Sequence, residues 1–143
     1  VLVASALSLV VVVRGLLSVP IEGSIALFVV GTAFHLFATT SMGILLGTVA
    51  RSMPQFGLLM VLLLLPLLML SGSVTPRESM PVLVQQLMQI APNTHFVKLA
   101  QAILYRGAGL DVVWPQLAAL ALIGTILFGI ALARFRRTIA VME

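Results

Sequence analysis

From Ser24 to Val49 the chain runs without a single charged side chain, and His35 is its only ionisable group. As an α-helix at 1.5 Å per residue this run would reach about 39 Å. The hydrocarbon core of a bilayer is about 30 Å thick. The run is therefore long enough to cross with some tilt. Composition supports the membrane reading. Of 143 residues, 61% are hydrophobic and 8% charged, whereas soluble domains carry about 25% charged residues. A globule of this size leaves roughly 30% of its surface exposed. These residues cannot cover that much surface with polar groups, whereas lipid tails solvate an apolar exterior.

Three other apolar stretches accompany the first. Residues 1–13 read as the end of a transmembrane helix, closed by Arg14. Residues 55–72 and 112–133 read as two further spans. The chain begins inside an apolar run, without a charged segment or a cleavage site before it, so it reads as a C-terminal fragment rather than as starting with a signal peptide. The expected fold is an all-α polytopic transmembrane bundle. Arg134, Arg136 and Arg137 follow the last stretch. Basic residues near helix ends stay in the cytoplasm, so residues 134–143 are expected as a cytoplasmic tail. Counting back puts the Ala50–Pro54 turn inside, and both the Arg14–Gly23 loop and residues 71–115 outside. Tyr105 and Trp114 would then lie near the outer interface.

Within the outer segment, Ser79 is expected to cap a helix with Pro81 in its first turn. Pro92 would end that helix, Asn93-Thr94 would cap a second, and Gly107 would stop it. Each piece would cover about 18 Å, too short to span. Residues 79–106 therefore read as a short re-entrant or interfacial hairpin at the outer leaflet. Pro66 should interrupt the backbone bonding of the third stretch, as a kink or hinge.

His35 is the weak candidate for a translocation path, because intramembrane ionisable groups usually face a bundle interior or water. The bland alternative is a neutral histidine bonded to a neighbouring helix. Gly31, His35, Thr39, Gly43 and Gly47 recur every four residues. Ala121, Thr125, Gly129 and Ala133 form a similar row. Small residues let helices approach closely in lipid, so both rows are candidate packing faces. There is no cysteine, and the four carboxylates, Glu22, Glu78, Asp111 and Glu143, are peripheral. No GxxxxGK[ST], GxSxG or HExxH is present. No catalytic, cofactor or metal residue is expected. The net charge of +4 sits at segment ends rather than on a stripe, which argues against nucleic acid.

The run Leu70-Ser71-Gly72-Ser73-Val74-Thr75-Pro76-Arg77-Glu78-Ser79-Met80-Pro81 resembles the signature of type-2 ABC transporter permeases. Ser71, Gly72, Pro76, Met80 and Pro81 carry the likeness. It continues through Pro92 in Ala91–Phe96 and Gly107 in Ile103–Leu110, then through Val113-Trp114-Pro115 and Ala133–Arg137. Ser24–Arg51 resembles the family's fourth helix. The look is that of bacterial inner-membrane permeases of multidrug exporters. The resemblance implies a subunit with about six membrane helices and both ends cytoplasmic. It implies a second permease copy or a homologous permease as partner, and an ABC-type ATPase subunit that holds the ATP. A periplasmic adaptor is a further partner to consider. This chain would supply the last four helices, without the cytoplasmic coupling helix. Two rival readings are a proton-coupled secondary carrier, which would need intramembrane carboxylates, and a non-transporting membrane anchor or assembly subunit.

Overall fold

The computed structural model describes residues 1–8, 10, 11, 15, 23–72 and 74–140. Six α-helices follow one another among these residues: α1 (Leu2–Leu7), α2 (Ile25–Val49), α3 (Met53–Met69), α4 (Val82–Leu87), α5 (Pro92–Arg106) and α6 (Leu110–Ala140). No strand occurs among them. Arg14, and with it most of the Arg14–Gly23 loop, lies outside the described residues.

The long uncharged run forms α2. Ser24 caps it, its Oγ accepting from the Leu27 amide at 3.4 Å. Inside α2, four hydroxyls donate to carbonyls of the preceding turn: Thr32 to Phe28, Thr39 to His35, Ser41 to Phe37 and Thr48 to Leu45. Each hydroxyl thereby satisfies its donor within its own helix, as an apolar setting demands.

The turn into α3 is capped from both sides. The Ser52 Oγ accepts from the Gln55 amide, and the Gln55 Oε1 accepts from the Arg51 amide at 2.9 Å. This is close to a capping box, shifted by one residue at its return bond. It sets the start of α3 at Met53 and not at Gln55 as expected. Pro66 lies inside α3, where it removes the amide that would bond to Leu62.

The signature residues shape the exit from α3. Ser71 is buried and donates from its Oγ to the Leu68 carbonyl at 2.9 Å, satisfying an acceptor orphaned by the helix end. Gly72 has φ 96°, a conformation that costs other residues strain. The Pro76 carbonyl accepts from the Ser79 Oγ at 2.7 Å.

Ser79 is therefore not the helix cap expected of it. It ends a 3₁₀ turn, Arg77–Ser79, and Pro81 holds the cap position of α4. The first arm is also shorter than expected, because α4 gives way to a second 3₁₀ turn at Met88–Ile90. Asn93 and Thr94 do not cap α5 either. Ala91 does so with backbone alone, Pro92 takes the first turn, and Asn93 and Thr94 are buried within that turn. Gly107 ends α5 at φ 61°, ψ 25°, and the Ala108 amide reaches back to the Ala102 carbonyl at 3.0 Å. This is a left-handed C-terminal cap.

The last helix departs most from its expected bounds. α6 begins at Leu110 and continues through the arginines to Ala140, so residues 134–140 extend the helix instead of forming a separate tail. Alanine, leucine and arginine all favour helix, and nothing before Ala140 breaks it. Pro115 falls near its start, where the carbonyl it frees is close to the helix end.

α2 packs chiefly on α6, and α5 packs in the angle between them. The core there is Phe28, Leu99, Ile103 and Val113. α3 has no buried residue, and Leu58, Leu62 and Leu65 are exposed. Apolar faces turned outward mark a chain solvated by lipid or covered by other protein.

Candidate functional site

The centre of the bundle is where α5 meets α2. Gly31 makes that meeting close. A methyl group at Gly31 would lie 2.5 Å from Leu99 Cδ2, nearer than side-chain atoms pack. One turn later the His35 ring stacks on Phe96, with centroids 4.3 Å apart and planes 12° from parallel. Phe96 also contacts Phe28 at 5.9 Å. His35 Nδ1 is buried and has no hydrogen-bond partner among the described residues. Among the described residues the histidine is held by ring stacking, and its Nδ1 makes no bond to a neighbouring helix.

The rest of the α2 row is more open. A methyl at Gly43 or Gly47 would meet nothing within 4 Å. The same is true of Gly129 in α6, and Thr125 is exposed with its hydroxyl bonded to the Ala121 carbonyl. Within the described chain, Gly43, Gly47 and Gly129 therefore do not form the close helix contacts expected of them. The close α2–α6 contact is made instead by Gly124. A methyl there would lie 2.6 Å from Phe37 Cδ1 and 3.2 Å from Ala38 Cα. Sequence spacing missed Gly124 because it lies one residue before Thr125, off the every-fourth-residue row Ala121, Thr125, Gly129, Ala133. On α2 it is Ala38 that lies against Gly124 of α6, while Gly31 lies against Leu99 of α5.

Beyond this contact lies an apolar cavity of about 470 Å³. Met42 and Leu46 of α2, Leu63 and Leu67 of α3, Met88 of the hairpin and Ile126 of α6 line it. His35 is not among its lining residues. The cavity presents no charged side chain, so it suits apolar, uncharged groups. No group of three or more His, Cys, Asp or Glu side chains gathers among the described residues.

Two long apolar helices, α2 and α6, are each able to cross a bilayer. With the apolar exterior of α3, they define an all-α membrane bundle of packed helices. The chain belongs to the ABC-2 type transporter family, whose model matches residues 1–105. It is 66% identical over 142 residues to the inner membrane transport permease YhhJ of Escherichia coli, covering 99% of this chain and 38% of that protein. It is 32% identical over 121 residues to the probable multidrug ABC transporter permease YbhR of E. coli, covering 85% of this chain and 33% of that one. ABC transporter G family member 20 of Dictyostelium discoideum is 30% identical over 116 residues, covering 81% of this chain and 16% of that protein. The chain thus spans well under half the length of these relatives. No solved structure gives a significant match.

Proposed function

We propose that this chain is the C-terminal part of the permease of an ATP-binding cassette exporter. The observation that carries the reading is the family match over residues 1–105, together with the 66% identity to a transport permease. ATP is bound and hydrolysed on a partner ATPase, and the permease is not itself an enzyme. Two permease copies, or this one and a homologue, enclose the path, and a periplasmic adaptor is a further partner in the reading. Coupling requires that nucleotide binding on the ATPase favour one permease conformation over another.

In this reading the protein lies in the bacterial inner membrane with its C-terminus in the cytoplasm, and α4–α5 forms a hairpin at the outer leaflet. The apolar cavity supports a path for apolar substrates. His35, the weak candidate for that path, is not among the residues that line the cavity, and one face of its ring is held by Phe96. The small residues Gly43, Gly47 and Gly129, open on this chain, are free to meet other helices of the full permease. The rival carrier reading needs an intramembrane proton relay, and the carboxylate that α6 carries, Asp111, sits in its first turn rather than deep in the span.

The test is purification of the full-length permease from its native host. The ATPase is expected to copurify, and its ATP hydrolysis in proteoliposomes should change when the permease is present. An isolated permease with no associated ATPase, moving substrate on a proton gradient alone, would overturn the reading.

A further inference from the structure

We propose that the apolar cavity at the tip of the α4–α5 hairpin binds a compact, uncharged hydrocarbon compound that enters sideways from the bilayer, between α3 and α6. The proposal rests on the permease reading and deepens it by naming a substrate class and its entrance.

Contacts along α2 and α5 run in opposite order. Gly23 lies against the Ile103 carbonyl, Gly31 against Leu99, and His35 against Phe96. α5 is thus antiparallel to α2, and its first residue, Pro92, comes level with the part of α2 just past its middle. The hairpin tip therefore reaches into the bundle. Leu87, Met88, Ile90, Ala91 and Pro92 of the tip line the cavity, together with Met42 and Leu46 further along α2. α5 runs from the tip toward the Ser24 end of α2, so the tip closes the cavity on that side. Gln86 and Gln89, on the same arm, are not among the lining residues.

The side of the cavity is open. α2 packs on both α3 and α6, which share no packed interface with each other among the described residues. Leu63 and Leu67 of α3 and Ile123 and Ile126 of α6 flank the opening. Leu87, Ile90 and Ile126 are exposed and mark its rim, whereas Met42 at the back is buried.

Every lining residue is Met, Leu, Ile, Ala or Pro, so no lining side chain offers a charge or an N–H or O–H donor. A charged group entering would lose its hydration without replacement. A hydrocarbon gains from the burial of its apolar surface. The volume of about 470 Å³ falls within the roughly 300–1,000 Å³ of small-molecule sites. Met42 and Met88 bring flexible thioethers, which adapt to more than one ligand shape.

Size and depth select the occupant. A helix is about 10–12 Å across and rises about 5.4 Å per turn, so the cavity has room for roughly one turn. A spanning helix that followed it would run into the tip. A lipid chain is tethered to a headgroup at the membrane surface, so only its end reaches a cavity near the middle of α2. A compound dissolved in the hydrocarbon reaches it through the side opening without that tether.

The experiment uses the full-length permease in phosphatidylcholine liposomes. The probe is adamantane diazirine, which is compact, uncharged and photoreactive, and labelled residues are mapped by peptide mass spectrometry. Labelling at Met42 and Met88 is expected to saturate and to be displaced by excess adamantane. Labelling at Leu122, exposed on α6 and outside the cavity, should rise linearly and resist displacement. The adamantylammonium ion should displace far less than adamantane. Ile126→Trp, at the exposed rim, should raise the half-saturating probe concentration about tenfold, the scale on which apolar pockets sort ligands by size. Leu122→Trp should leave it unchanged. No saturable labelling at Met42 and Met88 would hand the cavity to lipid chains and overturn the proposal, as would equal displacement by the ammonium ion. p-Benzoylphenylalanine introduced at Leu67 tests the other occupants. A covalent dimer, or a cross-link to another segment of the same chain, would overturn the proposal. Should Ile126→Trp not fold, displacement from the unaltered protein decides. None of these measurements involves ATP hydrolysis, so their failure would leave the ATPase partnership standing.

Discussion

The His35 imidazole lies flat against the Phe96 ring, 4.3 Å from centroid to centroid, and so joins the middle of α2 to the first half of α5. Aromatic pairs of this kind contribute about 0.5–1.5 kcal/mol beyond area burial. A double-mutant cycle with His35→Ala and Phe96→Ala in the full-length protein should therefore show coupling of about that size. His35→Phe keeps a ring in place and should retain most of the stability. If the two alanine effects add without coupling in thermal unfolding, the stack contributes nothing to stability.

Gly124 and Gly129 should differ sharply in tolerance. Gly124→Leu pushes a side chain into Phe37 and the Ala38 backbone, while Gly129→Leu enters open space. Overpacking of this kind costs about 1–3 kcal/mol. The folded yield of Gly124→Leu should fall well below that of Gly129→Leu, as read by fluorescence-detected size exclusion. Gly43→Leu should fold like Gly129→Leu, and any harm it does should appear in assembly with other subunits. Equal yields for Gly124→Leu and Gly129→Leu would remove the assigned α2–α6 contact.

Gly107 adopts a left-handed conformation at the end of α5. Gly107→Ala should lower stability by about 1 kcal/mol, because a Cβ is disfavoured there, and Gly107→Asn should cost less. The comparison needs only melting temperatures of the three full-length proteins. A neutral alanine variant would mean that the cap relaxes without penalty.

The hairpin reading is tested by cysteine labelling in a cysteine-free background. α5 spans 15 residues, about 22 Å, which falls short of the hydrocarbon core. Cysteines at Val74, Gln86, Gln89 and Gln101, all exposed, should react with a membrane-impermeant reagent from outside intact cells. A cysteine at Thr138 should react only after the membrane is opened. Asn93 is buried, so its silence would carry no information. Reaction of Gln89→Cys from the cytoplasmic side alone would rule out the outer hairpin.

Much of this architecture could be read from the residues, because lipid forces helices to satisfy their own backbone. Charge-free length gives α2, and Gly107 gives the end of α5, since only a few residue types tolerate that turn. The caps were harder. Ser79 and Asn93-Thr94 look like helix starts, yet prolines at 81 and 92 fix the entry to α4 and α5 with backbone geometry alone. The Ser52–Gln55 pair was a readable signal for the start of α3 that charge and hydropathy passed over. At the centre, spacing by four identified Gly31 as a close contact but could not rank Gly43 against Gly124. That ranking depends on which face of each helix meets the other, and apolar residues surround both helices too evenly to mark it. Likewise no sequence pattern places Phe96 under His35.

α6 does not stop where its apolar residues stop. At about 1.5 Å per residue its 31 residues form a rod of roughly 46 Å, longer than the hydrocarbon core. Its far end carries Arg134, Arg136 and Arg137 on the same unbroken helix whose near half holds Val113, Leu120 and Gly124 against α2 and α5. No hinge separates the two parts among the described residues. A tilt of the packed half must therefore swing the arginine end through an arc, as a lever does, and a pull on the arginines must turn the packed half in return.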